Sequence, residues 1–367
     1  MIRIRRARVL SVDERHVGYS KLTVQVGEEK QQAINYDFLT GSVGQGDFVI
    51  LNTTAVHAGV GSGGYHFVIY VEGNDYLNSP EEGHIFKLRY TPQQIKVQVA
   101  EEEESPTHDL VANCADLAGL PVLAGALHSQ LTPAVLGIRA FAPPQTRIAY
   151  IMTDGGCLPL AFSQQVRFLK EKGLIDATIT CGHAFGGDYE AVNIYSALIV
   201  AKAVAKADYA IVCMGPGIVG TNTKWGTTAL EQASILHAVS TLKGIPIAIL
   251  RLSFADPRPR HYGVSHHTLT VLSQGVHVPV HVALPQLEGE RRAHVYSQLE
   301  GAGLTSRHQI TELATDFLTG YLEEYGHLLN TMGRSYGQDP EFFMAAAASG
   351  ALAVSLAQPS PPKGERT

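Results

Sequence analysis

Cysteine is scarce in this sequence, charge is thin, and no apolar run is long. The four cysteines, Cys114, Cys157, Cys181 and Cys213, lie far apart with no C-x-x-C pair. Such spacing is a poor disulfide framework and fits free thiols in a reducing compartment. Charged residues make up 17% of the chain, and the net charge of -6 with a pI near 6.2 leaves no global field to attract nucleic acid or anionic lipid. A nucleic-acid partner is therefore disfavoured. The nearest approach to a membrane span, 342–356, is Ala-rich and interrupted by Ser349 and Gly350, short of the roughly 18 consecutive apolar residues required. A docking helix is expected there, and no membrane partner. Residues 1–12 alternate basic and apolar side chains and lack the apolar core of a signal peptide. These absences point to the cytoplasm. No G-x-x-x-x-G-K-[ST] occurs, which disfavours a P-loop nucleotide hydrolase.

What is present is length and apolar content. At 367 residues and 45% hydrophobic, the chain can bury a sizeable core and is long enough for two domains. Short β-type runs at 2–12, 21–26, 47–52, 67–71, 85–90 and 95–99 predict a small β-barrel-like or sandwich domain over 1–105. Alternation slips between Arg5 and Arg6, which predicts a bulge or bend there. Four consecutive glutamates at 101–104, followed by Ser105-Pro106, read as a solvated domain boundary.

After Leu120 the rhythm changes to apolar strand, polar loop and amphipathic helix, repeated. Strands are expected at 122–127, 147–152, 177–181, 209–214, 246–250, 278–283 and 308–313. The alternation predicts an α/β domain over 106–335, a doubly wound, mostly parallel sheet with helices on both faces. A helix is expected over 191–206, where Ala191, Ile194, Leu198, Ala201 and Val204 recur at helical spacing. Thr132 before Pro133 reads as an N-cap, and so does Asp188 further on. An Ala-rich docking helix is expected over 336–357 and a disordered tail over 358–367.

Ligands of an open parallel sheet bind beyond the carboxyl ends of its strands, where helix N-termini converge. The segments that follow the expected strands carry His128-Ser129, then Asp154-Gly155-Gly156, then His183 with Gly186-Gly187-Asp188. Next come Gly215, Gly217, Gly220 and Thr221, and then Arg258, Arg260, His261, His266 and His267. Glycine, serine and aspartate also serve ordinary turns. The crowding of histidine into several such loops favours a site. Gly215 to Gly220 matches G-x-G-x-x-G directly after a strand, but Pro216 removes an amide donor and the next strand ends at Arg251 rather than at an acidic residue. The pattern is common, since Gly59, Gly61 and Gly64 also satisfy it. A general anion cradle is favoured over a nicotinamide site.

Arg258 and Arg260 can grip phosphate or carboxylate, or bridge to surface carboxylates or a second copy of the chain. The sequence holds no strong metal motif. His266 and His267 are adjacent, and in a helix they point about 100° apart, away from a shared ion. His128, Asp154, His183 and Asp188 can converge from neighbouring strand ends, and a mixed set of that kind suits Zn²⁺, Mn²⁺ or Fe²⁺. Cys157, Cys181 and Cys213 fall at strand ends and read as small buried thiols. Arg3, Arg5, Arg6 and Arg8 read as a charged edge strand.

These loops resemble a known family. The resemblance rests on Leu127-His128-Ser129, Met152-Thr153-Asp154-Gly155-Gly156, Ala184-Phe185-Gly186-Gly187-Asp188, Gly215-Pro216-Gly217 with Trp225-Gly226, and Arg258-Pro259-Arg260-His261 with Ser265-His266-His267. In that order they are similar to the bacterial domain-of-unknown-function family numbered 3866. The resemblance implies a cytoplasmic bacterial protein and carries no activity with it. No cofactor follows from the sequence, and catalysis stays open.

The leading expectation is a small anionic metabolite held by Ser129, the glycines Gly155, Gly156, Gly186, Gly187, Gly215, Gly217 and Gly220, Thr221, Arg258, Arg260 and His267. His128, His183, His261 or His266 would act as acid or base, with Asp154 or Asp188 orienting. The alternatives are a non-catalytic sensor or scaffold whose β domain contacts protein or nucleic acid, and, more weakly, a nicotinamide-linked oxidoreductase.

Overall fold

The computed structural model describes residues 1–78 and 80–357, so the tail expected over 358–367 lies outside the described residues. The chain divides into two compact units, Met1–Val97 and the remainder from Gln98.

The first unit is a closed barrel of β1 (Ile4–His16), β2 (Tyr19–Val26), β3 (Glu29–Asn35), β4 (Phe48–Asn52) and β5 (His66–Val71), ordered β1-β2-β3-β5-β4 and closed by β4 against β1. A hairpin of β6 (Ile85–Lys87) and β7 (Ile95–Val97) follows. Alternate side chains such as Val9, Leu22, Val24, Val49 and Leu51 fill the interior. The expected bulge at Arg5 and Arg6 is absent, because both pair in register with β4; the irregularities lie between Val9 and Ser11 and between Val12 and Glu14. Strand β3 escapes notice in sequence because Glu29, Lys30, Gln31 and Gln32 mask its apolar end.

The second unit is built on eight parallel strands: β8 (Pro121–Ala124), β9 (Ile148–Thr153), β10 (Ala177–Cys181), β11 (Tyr189–Ala191), β12 (Tyr209–Met214) and β13 (Ile245–Ala248), then, after a short antiparallel pair β14 (Leu252–Ser253) and β15 (Gly263–Val264), β16 (His281–Pro285) and β17 (Gln309–Leu313). Their order across the sheet is β11-β10-β9-β12-β8-β13-β16-β17. Ile148, Tyr150 and Met152 point to one face, Ala149 and Ile151 to the other, and all are fully buried. A sheet covered on both sides needs such unbroken apolar strands.

The connecting helices divide between the faces. Helices α1 (Leu131–Phe141) and α2 (Gln164–Glu171) pack on the Tyr150 side. Helices α3 (Ile194–Ala203) and α4 (Glu231–Thr241) pack on the Ala149 side. A short α5 (His266–Thr270), α6 (Gly289–Gly301) and α7 (Pro340–Ala357) follow. Helix α7 is long and apolar enough to cross a membrane by length and composition, yet most of it is buried against α1 and the sheet. A Cβ on Gly137 would sit 2.1 Å from the Ala347 carbonyl oxygen, and one on Gly350 would sit 2.2 Å from that of Ala134. The two helices therefore cross backbone to backbone.

Three local expectations change. Thr132 lies inside α1, after a 3-10 turn at His128–Gln130, and its hydroxyl bonds Gln165 rather than capping. The helix expected from 191 begins at Ile194, because 189–191 form edge strand β11, and Asn193 is the N-cap instead of Asp188. The acidic run is not solvated throughout: Glu102 is buried and accepts from the Val99 N–H, and Glu101 accepts from the Val192 N–H at 2.8 Å.

Candidate functional site

Neighbouring strands β9 and β12 send their connections opposite ways. From β9 the chain runs through α2 to β10; from β12 it runs through α4, on the other face, to β13. Such a reversal opens a crevice beyond the strand ends. Here it is a cavity of about 190 Å³ lined by Thr153, Asp154, Cys181, Gly182, Asn193 and Glu231, among others.

Two carboxylates meet in it. Asp154, exposed, accepts the His183 N–H at 2.9 Å. Glu231 opens α4, with its Oε2 buried and without a hydrogen-bond partner among the described residues. Burial pushes the Glu231 carboxyl up to about 7; Thr153 offsets part of the rise and the charge of Asp154 adds to it. Thr153 Oγ1, likewise buried and without a partner, is near enough to act through its dipole but makes no aligned hydrogen bond. Two glycines make room for these groups: a Cβ on Gly155 would lie 2.6 Å from Glu231 Oε2, and one on Gly182 would lie 2.3 Å from Asp154 Oδ2.

The glycine-rich loop adjoins this crevice. A Cβ on Gly156 would strike the Gly215 carbonyl oxygen at 2.3 Å, and the Cys157 N–H donates to the Pro216 carbonyl at 2.8 Å. Gly217 stands exposed at a φ of +106°, with nothing near its missing Cβ. Further on, the loop braces itself. The Thr221 N–H donates to the Gly226 carbonyl, the Val219 N–H to Thr228 Oγ1, and the Thr221 hydroxyl lies 2.8 Å from that of Thr223. Several amides expected to cradle an anion are thus committed within the loop. Helix α4 begins only at Glu231, so the glycines do not open a helix as a dinucleotide-binding turn requires.

The loop leads to the histidines. A Cβ on Gly220 would lie 3.1 Å from His267 Nε2. The His266 and His267 rings are 3.9 Å apart between centroids, and His261 is 5.2 and 5.6 Å from them. The expectation that adjacent histidines diverge fails here, since both lie in the first turn of the five-residue α5 and their rings fold toward His261. Burial lowers all three imidazoles below the ordinary value, with the neighbouring arginines adding: His261 to about 3 and His267 to about 4. The shift favours the neutral form of each ring.

Of the two arginines expected to hold an anion, Arg258 is already engaged. Its Nε and Nη2 grip Asp256 at 2.8 and 2.7 Å, and Arg251 shares that buried carboxylate. Burial alone would raise the Asp256 carboxyl, but the Arg258 fork holds it well below the usual carboxylate range. Arg260 makes no ion pair among the described residues, and its Nε is buried without a partner.

Other expected residues lie elsewhere. Asp188 sits below the rim, accepting from the Thr178 N–H and hydroxyl at 2.8 and 2.9 Å and from Lys170, which ties the edge strand to β10. Gly187 packs against the Thr178 and Thr180 backbone, and the Gly186 N–H donates to Glu190, so this pair turns the chain into β11. Ser129 bonds Thr331. His128 is buried, 2.6 Å from Ser163 Oγ and 3.2 Å from the Tyr150 hydroxyl, and burial lowers it to about 4. With Ser163, Pro216, His327 and Asn330 it lines a second cavity of about 220 Å³. Ser163 also caps α2. Cys181 and Cys213 are buried, and burial raises the Cys213 thiol to about 12.

Sequence reasoning missed Glu231. An acidic residue in a first helical turn is an ordinary response to the helix dipole. Nothing local in the sequence reveals that its oxygen is buried.

No curated protein and no solved structure matches the chain. The family described as Protein of unknown function (DUF3866) matches residues 32–350, from within β3 to within α7, and so takes in β4 and β5 of the barrel and every strand of the large sheet, while β1 and β2 lie outside the match. Matched over far more than half its length, the chain belongs to the family Protein of unknown function (DUF3866).

Proposed function

We propose that the chain binds a small molecule bearing a phosphate or carboxylate at the C-terminal rim of the sheet, and that Glu231 exchanges a proton with it. The observation that carries this reading is a pair of carboxyl groups in one crevice, one exposed and the other raised to about 7 by burial. A carboxyl poised near neutrality serves equally as acid and base. Two carboxylates in the crevice repel an anionic group, so the reacting end there is a neutral hydroxyl, amine or acidic C–H. The anionic end belongs beside Arg260, which has no carboxylate partner among the described residues. His128, weakly basic and already bonded to Ser163, suits structure better than proton transfer. The four free thiols, two of them buried, favour the cytoplasm.

The test begins with mass spectrometry of small molecules that co-purify with the full-length chain, followed by titration of the compound found. Loss of a charge-assisted contact is worth about 1.5–3 kcal/mol, so Arg260→Ala should weaken binding roughly ten- to a hundredfold. Glu231→Gln should keep affinity and lose turnover. Turnover equal to wild type in Glu231→Gln would sink the catalytic role, and unchanged affinity in Arg260→Ala would sink the anion site. Binding without turnover by the wild type would identify a sensor instead.

A further inference from the structure

We propose that His261, His266 and His267 form a three-imidazole site for a divalent transition-metal ion of the zinc class, with a fourth position open to ligand. One ligating atom from each ring lies within 4.8 Å of the other two. Modest ring rotations bring three such nitrogens to the roughly 2.0–2.1 Å at which imidazole binds zinc.

The second observation is what these nitrogens lack. His266 Nε2 and His267 Nδ1 are buried with no hydrogen-bond partner among the described residues. Buried polar atoms in folded chains are ordinarily paired, so two orphans on adjoining rings of one cluster call for an occupant. His261 differs in an informative way. Its Nδ1 lies 2.7 Å from Ser265 Oγ, so when Nδ1 carries the proton Nε2 is left with its lone pair. A partner on the remote nitrogen that fixes tautomer and ring orientation is the usual outer-shell arrangement of a metal-binding histidine.

The donor set selects the ion. Three neutral nitrogens without a carboxylate suit zinc, cobalt or ferrous iron and do not suit magnesium or calcium, which take oxygen ligands. Three neutral ligands also leave the ion its full double charge. Arg260 and Arg251 stand nearby, and the single charge of Asp256 is divided among Arg251, Arg258 and Arg334. The surplus is positive, so the fourth ligand is an anion. Two features give it access: His266 is only half-buried, and Gly220 presents no side chain beside His267. The identity of the fourth ligand rests on the anion-binding reading above; the metal itself rests on the imidazoles alone.

The full-length chain, stripped with chelator, is titrated with Co²⁺ and then Zn²⁺. One equivalent of Co²⁺ should give the visible absorption of a tetrahedral nitrogen-bound ion, displaced by one equivalent of Zn²⁺. X-ray absorption on the zinc-loaded wild type should show three nitrogens at about 2.0–2.1 Å and no sulfur. His267→Ala should weaken binding by more than the about 10–100-fold that follows loss of an outer-shell partner. His57→Ala, in the barrel unit, should bind as wild type. A wild-type chain that takes up no stoichiometric metal, or zinc bound through cysteine sulfur, overturns the proposal whether or not the variants fold. Metal uptake with unchanged anion affinity in Arg260→Ala would leave the metal standing and remove only the anion reading.

Discussion

At the scale of single residues, Glu231 makes stability depend on pH in an unusual direction. Its carboxyl is raised from an ordinary 4.5 to about 7 by burial. Between those values the folded chain keeps a proton that the unfolded chain releases, so raising the pH through that window lowers stability. The full shift would correspond to a ceiling of about 3 kcal/mol; because the side chain is partly open to solvent, screening reduces this to roughly 1–2 kcal/mol. Urea midpoints measured from pH 5 to pH 8 should therefore fall less steeply for Glu231→Gln than for the wild type. Identical slopes would show that the carboxyl is not held in its protonated form. This residue was illegible in the sequence because its chemistry comes from enclosure. Arg258 was legible as a cation but not as a spent one, since its partner Asp256 stands two positions away in a loop whose shape the sequence does not display.

Elements were read in proportion to their burial. Strand β12 stands out as an unbroken apolar run, YAIVCM, because both faces of the sheet are covered. Strand β11, Tyr-Glu-Ala at the sheet edge, carries no such run. Histidine convergence was equally hidden, for it depends on α5 starting at His266 and on the chain returning through the β14–β15 pair. The crossing of α1 and α7 can be tested directly. Gly137→Ala or Gly350→Ala forces a methyl group into a carbonyl oxygen about 2 Å away, so the helices must separate. Overpacking of this kind costs about 1–3 kcal/mol, which thermal or denaturant unfolding resolves. If either substitution is neutral, the helices are not in backbone contact.

For the whole molecule, the net charge of -6 disfavours nucleic acid as a partner, an expectation that a binding measurement tests. Of the four basic residues at the N-terminus, Arg6 is paired with Glu72 through both 2.7 Å contacts and lies over Phe48, and Arg3 bonds Thr53. Arg6 is thereby neutralised, whereas the hydroxyl contact leaves Arg3 its charge. Fluorescence anisotropy at physiological salt should detect no retention of single-stranded DNA, and Arg5→Ala with Arg8→Ala should change nothing; salt-sensitive binding lost in that double variant would reverse the conclusion.

The strand order has a last consequence, for the timetable of folding. Strands β8 and β9 are made early, yet β12, which lies between them, is synthesised some sixty residues after β9. Helix α7, which covers one face of the sheet, follows every strand of that sheet. A nascent chain emerging from the ribosome can close its barrel early, but carries half-assembled strands, uncovered on the α1 face, until α7 appears. That interval is when the apolar faces of these strands are most open to aggregation.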